Sequence, residues 1–575
     1  MVRRALLCLI FCAVARLAAA QTPVVSTPTP TPVPDGIPVT NATVIAKCGT
    51  CHKPDEQKRL SRISYRRATP ENWERTIKRM IQLNGLSLEP AEARAIVKYL
   101  SDNHGLAPEE ARAVAFETEH RLEPFSYGGD RETSVVCSSC HSVGRVMSER
   151  RTKQEWEGLI AMHRGYYPLV DNQPMNDGQG FRRNRAVEGD GDKRQPMERI
   201  IEHLSKVYPL RTSEWADWSV ARQTPMMAGR WAVSGYAAGK GPFFGVMTVT
   251  ADPKEPEMFT TEARYAFART GETAVRTGRS LVYAGFQWRG RSSLTTAATD
   301  MWREVMFVER TQKEMSGRWF GGGYDELGMD VKLTRIGAEP LVLGTSTPAV
   351  KTSSSVATLR IYGANFPAKL APNQIALGQG ITISRIVSVT PDLLTLAVEV
   401  AADAVPGPRD LLIAGAHRPA ALVVYNKVDS VRVLPDAGLA RVGGEVFPKQ
   451  FQQFEAFAFH NGPDRLPNTK DDWNLGAVDA AWSMEEYATT YDDDDIKFVG
   501  TIDKSGLFTP NVDGPNPKRT SGMPQMGRNN IGDVWIVATV APDPSRGIGG
   551  QVRARAQLVV APPIYVNWLA SGVGQ

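Results

Sequence analysis

Two short motifs in the sequence each place two cysteines and a histidine within five residues. The first is Cys48-Gly49-Thr50-Cys51-His52 and the second is Cys137-Ser138-Ser139-Cys140-His141. In a Cys-x-x-Cys-His motif the two thiols add to the vinyl groups of haem, and the histidine that follows can bind the iron. We therefore expect two covalently bound haem c groups, each attached through both cysteines of a motif and ligated by His52 or His141.

Other uses of paired cysteines explain this pattern less well. Two disulfides would not require a histidine after each pair, and a zinc site would leave both histidines unexplained. A thioredoxin-like redox pair would need a βαβ context, which the surrounding sequence lacks. The motif occurs twice, and its two copies use every cysteine outside the first 20 residues. The pattern therefore favours a dihaem cytochrome.

The first 20 residues have the features of a secretory signal peptide, which predicts a periplasmic protein. Two arginines precede an apolar stretch from Ala5 to Val14, and alanines 18–20 form a small-residue cleavage site. Cleavage removes Cys8, Cys12, three arginines and no acid, so the net charge falls from +5 to +2. So small a charge gives no argument for nucleic-acid binding, and no later segment approaches the ~20 apolar residues of a membrane span.

A helical segment follows each motif, and the two segments align with each other. Trp73 and Trp156 each begin an apolar helical pattern, and placing one on the other sets Met80 on His163, seven residues further along in both. Methionine and histidine are both good sixth ligands to haem iron. The repeat therefore predicts Met80 as the sixth ligand of the first haem and His163 as that of the second.

Three other residues stay open as the sixth ligand of the first haem, namely Met147, Met162 and His104, and Met162 is also the alternative to His163. A thioether ligand favours ferrous iron, so the first haem should have the higher reduction potential. Electrons are then expected to enter at the second haem and to leave through the first.

Length and hydrophobic periodicity divide the chain into domains. Its 575 residues are 42% hydrophobic and 22% charged, which is typical of folded protein and suggests about four domains. The predicted fold class is multidomain α+β, with an all-α dihaem cytochrome c domain, an antiparallel β-barrel and two immunoglobulin-like β-sandwiches. The predicted bounds are 1–20 for the signal peptide, 21–40 for a proline-rich linker, 41–211 for the cytochrome domain, 212–338 for the barrel, and 339–427 and 428–575 for the sandwiches.

The barrel prediction depends on alternating apolar residues beyond Tyr208, where the helical pattern ends. One of the predicted strands runs from Leu281 to Trp288. The sequence Gly-Arg-Trp occurs at 229–231 and again at 317–319. We interpret these side chains as barrel core with cation–π packing in preference to a ligand pocket.

Acidic residues cluster in the last predicted domain. They are Asp464, Asp471, Asp472 and the run Asp492 to Asp495. Carboxylates can bind calcium, but this spacing matches no calcium-binding loop. The pattern therefore favours a solvated acidic face over a metal site.

The order of these modules resembles the α subunit of quinohaemoprotein amine dehydrogenase. The resemblance covers nearly the whole chain after the signal segment and includes the stretch Tyr283-Ala284-Gly285-Phe286-Gln287-Trp288-Arg289-Gly290. It implies a periplasmic heterotrimer, completed by a β-propeller subunit and a small subunit that carries cysteine tryptophylquinone. In this family the quinone oxidises primary amines to aldehydes, and the dihaem subunit passes electrons to a soluble acceptor of the cytochrome c or cupredoxin type.

The resemblance implies an electron-transfer subunit of an oxidoreductase with no catalytic residue of its own. The sequence agrees, because outside the haem motifs it contains no recognisable combination of nucleophile and base. Three alternatives stay open. One is a stand-alone dihaem cytochrome c that carries electrons, another is a dihaem peroxidase with a displaceable iron ligand, and the third is a binding protein whose sandwiches hold a partner.

Overall fold

The computed structural model describes residues 36–121, 129–138, 141–166, 194, 196–255, 257–295, 301–444, 446–488, 493–519 and 528–563. The predicted signal peptide, most of the predicted linker and Cys140 lie outside these residues. In the described part of the chain no helix combines the length and the apolar character that a membrane crossing needs.

The described residues up to 221 are mainly helical, with one small sheet among them. The sheet pairs β1 (Arg66–Ala68) with β2 (Glu149–Arg151). The helices are α1 (Ala42–Cys48), α2 (Pro70–Asn84), α3 (Pro90–Asn103), α4 (Pro108–Arg112), α5 (Ala115–Thr118), α6 (Arg131–Ser138), α7 (Gly144–Met147), α8 (Lys153–Tyr166), α9 (Pro196–Val207) and α10 (Ser213–Ala221). Four of them, α2, α3, α4 and α9, begin with proline, whose fixed φ suits the first helical turn.

The internal repeat is present as two equivalent strand–helix units. β1 and β2 pair antiparallel, with Arg66 opposite Arg151. Each strand leads to a helix whose fourth residue is a buried tryptophan, Trp73 in α2 and Trp156 in α8. The guanidinium of Arg66 lies 4.6 Å from the ring centre of Trp73, and that of Arg151 lies 5.6 Å from that of Trp156. Because Arg67 and Arg150, which are equivalent in the repeat, lie opposite each other, the two strands are related by a local twofold axis.

The helical region extends further than the sequence predicted. We expected strands after Tyr208, but Thr212 caps another helix, α10, by accepting a hydrogen bond from the backbone of Trp215 at 3.2 Å. Trp215 packs under the guanidinium of Arg67 at 4.9 Å, and Trp218 packs against the barrel core. Tertiary contacts of this kind fix α10 in place, and an alternating sequence pattern does not reveal them.

An antiparallel barrel of eight strands follows and is closed, as predicted. The strands pair in chain order and the last closes on the first, so the barrel has no free edge. Trp231, Trp288 and Trp319 are fully buried, and the guanidinium of Arg335 lies 4.3 Å from the ring centre of Trp231, which confirms core and cation–π roles. The strands are β3 (Gly229–Ala237), β4 (Gly241–Ala251), β5 (Met258–Phe267), β6 (Thr273–Tyr283), β7 (Gln287–Ser293), β8 (Trp302–Val308), β9 (Glu314–Gly321) and β10 (Leu327–Arg335).

The strand predicted for Leu281 to Trp288 is wrong, because the chain reverses inside this segment. β6 ends at Tyr283 and β7 begins at Gln287. Between them, Ala284 and Gly285 have φ values of 56° and 77°, the left-handed pair that suits a tight hairpin turn. Both faces of the hairpin are buried, one in the barrel and the other against the helices, so the apolar run gave no sign of the turn.

The third domain has two four-stranded sheets around one apolar core. One sheet has the order β11-β13-β16-β15 and the other β12-β18-β17-β14. Its immunoglobulin-like character stays a prediction. The strands are β11 (Leu341–Thr345), β12 (Ala349–Lys351), β13 (Ser354–Ala364), β14 (Ile375–Ala376), β15 (Ile381–Val389), β16 (Leu393–Val400), β17 (Gly407–Ile413) and β18 (Ala416–Tyr425).

The fourth domain has three sheets around another apolar core, with the strand orders β19-β22-β23, β20-β28-β27-β24 and β21-β26-β25. An immunoglobulin-like fold stays a prediction here as well. The elements are β19 (Ser430–Leu434), β20 (Ala437–Arg441), β21 (Gln452–Gln453), β22 (Glu455–His460), β23 (Trp473–Val478), β24 (Ala481–Glu486), α11 (Asp495–Phe498), β25 (Gly500–Ile502), β26 (Leu507–Pro510), β27 (Gly532–Val540) and β28 (Val552–Ala561).

The prediction of a solvated acidic face in this domain is wrong for its buried aspartates. The guanidinium of Arg519 donates to Asp493 at 2.9 Å and to Asp495 at 2.8 Å, and all three side chains are buried. Arg432 forms an ion pair with Asp472. Burial raises the pKa of Asp495 to about 6 although the charge of Arg519 opposes this shift. The carboxylates are buried because arginines distant in sequence neutralise them.

One buried ion pair connects the helical region to the barrel. Glu71 in the first turn of α2 pairs with Arg289 of β7, and their side chains are 3% and 4% exposed. Burial opposes ionisation of Glu71, but the charge and hydrogen bond of Arg289 outweigh it and hold the pKa of Glu71 below its usual value. Arg289 also donates to the Gln287 side chain at 3.1 Å. The pair therefore sets where α2 sits on the barrel.

Removing one partner of the pair of Glu71 and Arg289 should lower the free energy of unfolding more than removing both partners. We expect Arg289→Met to lower the free energy of unfolding by about 3–5 kcal/mol, because Glu71 becomes a buried charge without a partner. The double variant Glu71→Leu with Arg289→Met should recover most of this loss. Urea unfolding followed by tryptophan fluorescence measures both.

The exposed pair of Lys240 and Glu272 provides the matched control. Lys240→Met should change the free energy of unfolding by less than about 1 kcal/mol, because solvent screens that pair. Equal losses in the single and the double variant at Glu71 and Arg289 would contradict the prediction.

Candidate functional site

The first motif begins on the last residue of α1. Asn41 caps this helix by accepting a backbone hydrogen bond at 3.0 Å, and the helix ends at Gly49. The backbone N–H of His52 donates to the carbonyl oxygen of Cys48 at 2.8 Å, and that of Cys51 donates to the same oxygen at 3.2 Å. These bonds form one tight turn, which holds the two thiols and the imidazole together for a single porphyrin.

The groups of this motif differ in exposure. Cys48 is part of the apolar core of the first repeat, whereas Cys51 is exposed and His52 is half-buried. Burial raises the pKa of the Cys48 thiol, and the neighbouring Cys51 raises it further. Burial lowers the pKa of His52, and the nearby charge of Arg62 adds to this shift. The imidazole is thus held neutral, the form that binds a metal.

The second motif repeats this arrangement at the end of α6. Cys137 lies in the last turn of the helix, and the backbone N–H of His141 donates to its carbonyl oxygen at 3.4 Å. This is the same spacing as between Cys48 and His52. Cys140, which we predict to hold the second thioether bond, lies outside the described residues.

The imidazoles of His141 and His163 lie close together and are tilted relative to each other. Their ring centres are 6.5 Å apart and their planes are inclined by 53°. The Nδ1 atom of His141 is 2.8 Å from the carbonyl oxygen of Ser142, and that of His163 is 2.8 Å from the carbonyl oxygen of Leu159. Because a carbonyl oxygen only accepts, each Nδ1 carries the proton and each Nε2 is the nitrogen that can bind a metal.

This geometry fits an iron between the two rings. A metal–imidazole bond is about 2.0 Å long, so two rings on opposite sides of one metal hold their nitrogens about 4 Å apart. The 6.5 Å between the ring centres of His141 and His163 leaves that space. Burial lowers the pKa of His141 to about 4, and the charge of Arg145 contributes to the shift. The structure thus brings together His141 and His163, the two residues that we predict to ligate the second haem.

Met80 lies in the penultimate turn of α2 and is half-buried. Its carbonyl oxygen accepts the hydrogen bond of Gly85, the left-handed residue that ends the helix. It is the eleventh residue of α2, as His163 is of α8, so the structure keeps the equivalence that suggested it. The pairing of Met80 with His52 stays a prediction.

The three alternative ligands lie in other surroundings. Met147 packs against the barrel core, and the Met162 sulfur accepts a hydrogen bond from the guanidinium of Arg79 at 3.0 Å. His104 is fully buried, with its ring centre 6.3 Å from that of Trp73. Neither ring nitrogen of His104 has a hydrogen-bond partner among the described residues.

Sequence reasoning missed the arginines around the second site. Arg145 on α7 is close enough to His141 to contribute to its lowered pKa, and the charges of Arg75 and Arg79 on α2 act on Arg145. The repeat could have identified Arg145, because Arg62 and Arg145 each lie eleven residues before the tryptophan of their own repeat.

A helical domain with two Cys-x-x-Cys-His motifs, followed by a closed barrel and two further β domains, is the arrangement of a modular haem-binding subunit. Four family models match the chain in this order. Each describes part of the quinohemoprotein amine dehydrogenase alpha subunit: haem binding at 39–185, domain II at 224–336, domain III at 339–426 and domain IV at 431–569. The chain belongs to the family of quinohemoprotein amine dehydrogenase alpha subunits, and it is therefore a subunit of an oxidoreductase.

No curated protein sequence matches the chain. Among solved structures, a redesigned β-barrel is 10% identical with a TM-score of 0.17, covering 20% of this chain and 99% of its own. A designed fluorescence-activating β-barrel is 14% identical with a TM-score of 0.16, covering 19% and 93%. The I9–I11 tandem of titin is 10% identical with a TM-score of 0.12, covering 48% and 92%. Likenesses this weak carry no argument about function.

The buried His104 should make the folded protein sensitive to acid. Burial, and then the charge of Arg67, lowers the pKa of His104 to about 3, so its ring is neutral in the folded state. In the unfolded chain its pKa is about 6.5. The unfolded state therefore binds a proton that the folded state refuses, and stability falls as the pH drops from about 6.5 towards about 3.

We expect His104→Leu to remove this contribution. The free energy of unfolding of the variant should decline less between pH 7 and pH 5 than that of the parent protein, whatever the difference at pH 7. Urea unfolding at several pH values measures the slope. His417→Leu, at an exposed position, should leave the slope nearly unchanged. An unaltered slope in the His104 variant would contradict the assignment.

Proposed function

We propose that the chain is the dihaem electron-transfer subunit of a periplasmic quinohaemoprotein amine dehydrogenase. It accepts electrons from a quinone cofactor on a partner subunit and delivers them, through two c-type haems, to a soluble acceptor of the cytochrome c or cupredoxin type. The observation that carries this proposal is the close approach of His163 to His141 of the second motif, in a chain of this family.

The residues of this chain attach, ligate and position the cofactors. Bound haem supplies one-electron redox chemistry. The thiols of each motif would hold one porphyrin covalently, and the histidine of the motif and the sixth ligand would bind its iron. The attaching cysteines are Cys48, Cys51, Cys137 and Cys140, the proximal histidines are His52 and His141, and the sixth ligands are Met80 and His163.

In this proposal the partner subunits carry out the oxidation of the amine. They are a β-propeller subunit and a small subunit that carries cysteine tryptophylquinone, as the family resemblance implies. The role of this chain is then to hold two redox centres at fixed positions on a rigid β scaffold. The buried pair of Glu71 and Arg289 supports such a role, because it fixes the helix that carries Met80 to the barrel.

Mass spectrometry of the purified complex tests the proposal. We expect this chain to carry the mass of two covalently bound haems and to co-purify with a small subunit that contains a cross-linked quinone. Replacing both Cys137 and Cys140 with serine should remove the mass of one haem only, and the matched change at Cys48 and Cys51 should remove the other.

Other results would point to other functions. A chain with two haems that purifies alone and exchanges electrons favours a stand-alone carrier. High-spin haem on half-reduction, together with peroxide turnover, favours a peroxidase. A chain without covalent haem contradicts the proposal outright.

The proposed sixth ligands predict unequal reduction potentials. The first haem should have the higher potential, because a thioether ligand favours ferrous iron. Met80→His should lower this potential towards that of the second haem, and Met162→Leu, as the control, should leave the difference in place. Potentiometric titration followed by visible absorbance measures both. A full potential difference in the Met80 variant would exclude Met80 as the ligand.

A further inference from the structure

Two side chains that can bind iron are neighbours in the second repeat. Met162 and His163 are consecutive residues of α8, and both a thioether and an imidazole are ligands of haem iron. In the repeat they correspond to Arg79 and Met80 of α2, and a guanidinium has no electron pair to offer a metal. The second site, unlike the first, therefore needs a feature that decides which of two neighbouring side chains becomes the sixth ligand.

The position of these residues on α8 leaves the decision to contacts outside the backbone. Met162 and His163 lie within the last five residues of α8, which ends at Tyr166. Both are half-buried, and the three residues that follow them are exposed. Helix ends fray, and a rotation of the last turn moves one side chain away from a fixed point while it brings the next one closer. Side-chain contacts must therefore hold this turn in one orientation.

One such contact engages the sulfur of Met162. The Nη1 atom of Arg79 on α2 donates to this sulfur, and the two atoms are 3.0 Å apart. A thioether is a weak acceptor, but the donor is charged, which strengthens the bond. The contact thus holds the thioether against a group on another helix and occupies an electron pair that could otherwise bind iron.

A second contact orients the imidazole of His163. Its Nδ1 atom lies 2.8 Å from the carbonyl oxygen of Leu159, one turn earlier in α8, which leaves Nε2 as the nitrogen for a metal. The ring centre of His163 is 6.5 Å from that of His141. The two contacts differ in effect, because one directs the imidazole to His141 and the other holds the thioether to α2.

The contact between Arg79 and Met162 crosses the local twofold axis, because the two residues are equivalent in the repeat. The same axis relates two backbone hydrogen bonds of equal length. The N–H of Thr69 donates to the carbonyl oxygen of Ser148 at 3.3 Å, and the N–H of Thr152 donates to that of Tyr65 at 3.3 Å. The first repeat therefore provides, from the position equivalent to the extra thioether, the group that engages it.

We propose that Arg79 is a positioning residue that keeps Met162 from binding the second haem iron and so selects His163 as its sixth ligand. The inference rests on the proposed function, because it requires a haem attached at the second motif. A methionine ligand raises the reduction potential of a haem. By excluding Met162, Arg79 keeps the potential of the second haem below that of the first.

Potentiometric titration of the holo complex with Arg79→Leu tests the inference. Without the guanidinium, the Met162 thioether can replace His163 on ferrous iron, so the potential of the second haem should rise towards that of the first. Loss of a cation alone has the opposite effect, because a nearby positive charge favours ferrous iron, which carries the smaller charge. The direction of the shift therefore separates ligand selection from an electrostatic role.

The far-red charge-transfer absorption of methionine-ligated ferric haem provides a second readout. The reduced protein is reoxidised rapidly, and the absorption is recorded before the imidazole of His163 can bind again. The parent protein should show the amplitude of one methionine-ligated haem, which we assign to Met80. The amplitude of Arg79→Leu should exceed it.

Matched variants isolate the role of Met162. Adding Met162→Leu to Arg79→Leu removes the thioether, so the rise in potential and the extra absorption should both be lost. Arg75→Leu removes another half-buried arginine of α2, one that donates to the Asn72 side chain at 2.9 Å, and it should produce neither effect. If Arg79→Leu does not accumulate with both haems, Arg79→Gln, which is neutral and shorter, provides the same test.

Three results would overturn the inference. They are an unchanged or lowered second potential in the Arg79 variant, a far-red absorption that does not exceed that of the parent, and an extra absorption that persists when residue 162 is leucine. A parent protein that already shows the absorption of two methionine-ligated haems would contradict both the inference and the proposed ligands. Absence of haem from the second motif of the parent protein, seen by mass spectrometry, would instead refute the proposed function.

Discussion

The helical domain depends on one buried carboxylate that holds an arginine from each repeat. Glu110 on α4 accepts hydrogen bonds from Arg67 of β1 at 2.7 Å and from Arg150 of β2 at 3.0 Å. Thr212 at the start of α10 and the backbone N–H of Ala107 complete the site, at 2.9 Å and 2.8 Å. Burial opposes ionisation, but these donors hold the pKa of Glu110 at about 2. Its charge therefore persists and fixes the two repeats relative to each other.

Helix α4, which contains Glu110, also packs against the barrel. Ala111, the residue after Glu110, is part of the apolar core that the barrel shares with the helices. Glu71 and Arg289 form a second fixed contact at the start of α2. Two anchors on different helices prevent rotation of the helical domain on the barrel. Such a scaffold suits redox centres, because their function depends on positions held by rigid surrounding elements.

Features encoded by neighbouring residues could be predicted from the sequence, whereas features created by distant residues could not. The haem motifs, the repeat of Trp73 and Trp156 and the closed barrel follow from spacing and alternation. Burial of Asp493 could not be predicted, because Arg519 neutralises it from 26 residues away. The helix around Trp215 was missed for a similar reason, since its packing partner Arg67 lies far back in the chain.

The repeats also show how one scaffold can produce two electrostatically different sites. Glu155 on the facing helix pairs with Arg62, whereas Arg145 is close to the cation Arg75 and to the acids Glu117 and Glu149. The backbone turn of the two motifs is the same, because His52 and His141 each donate to the carbonyl oxygen of the first cysteine of their motif. The charged residues beside the two histidines differ, because they come from parts of the chain that the repeat does not keep identical.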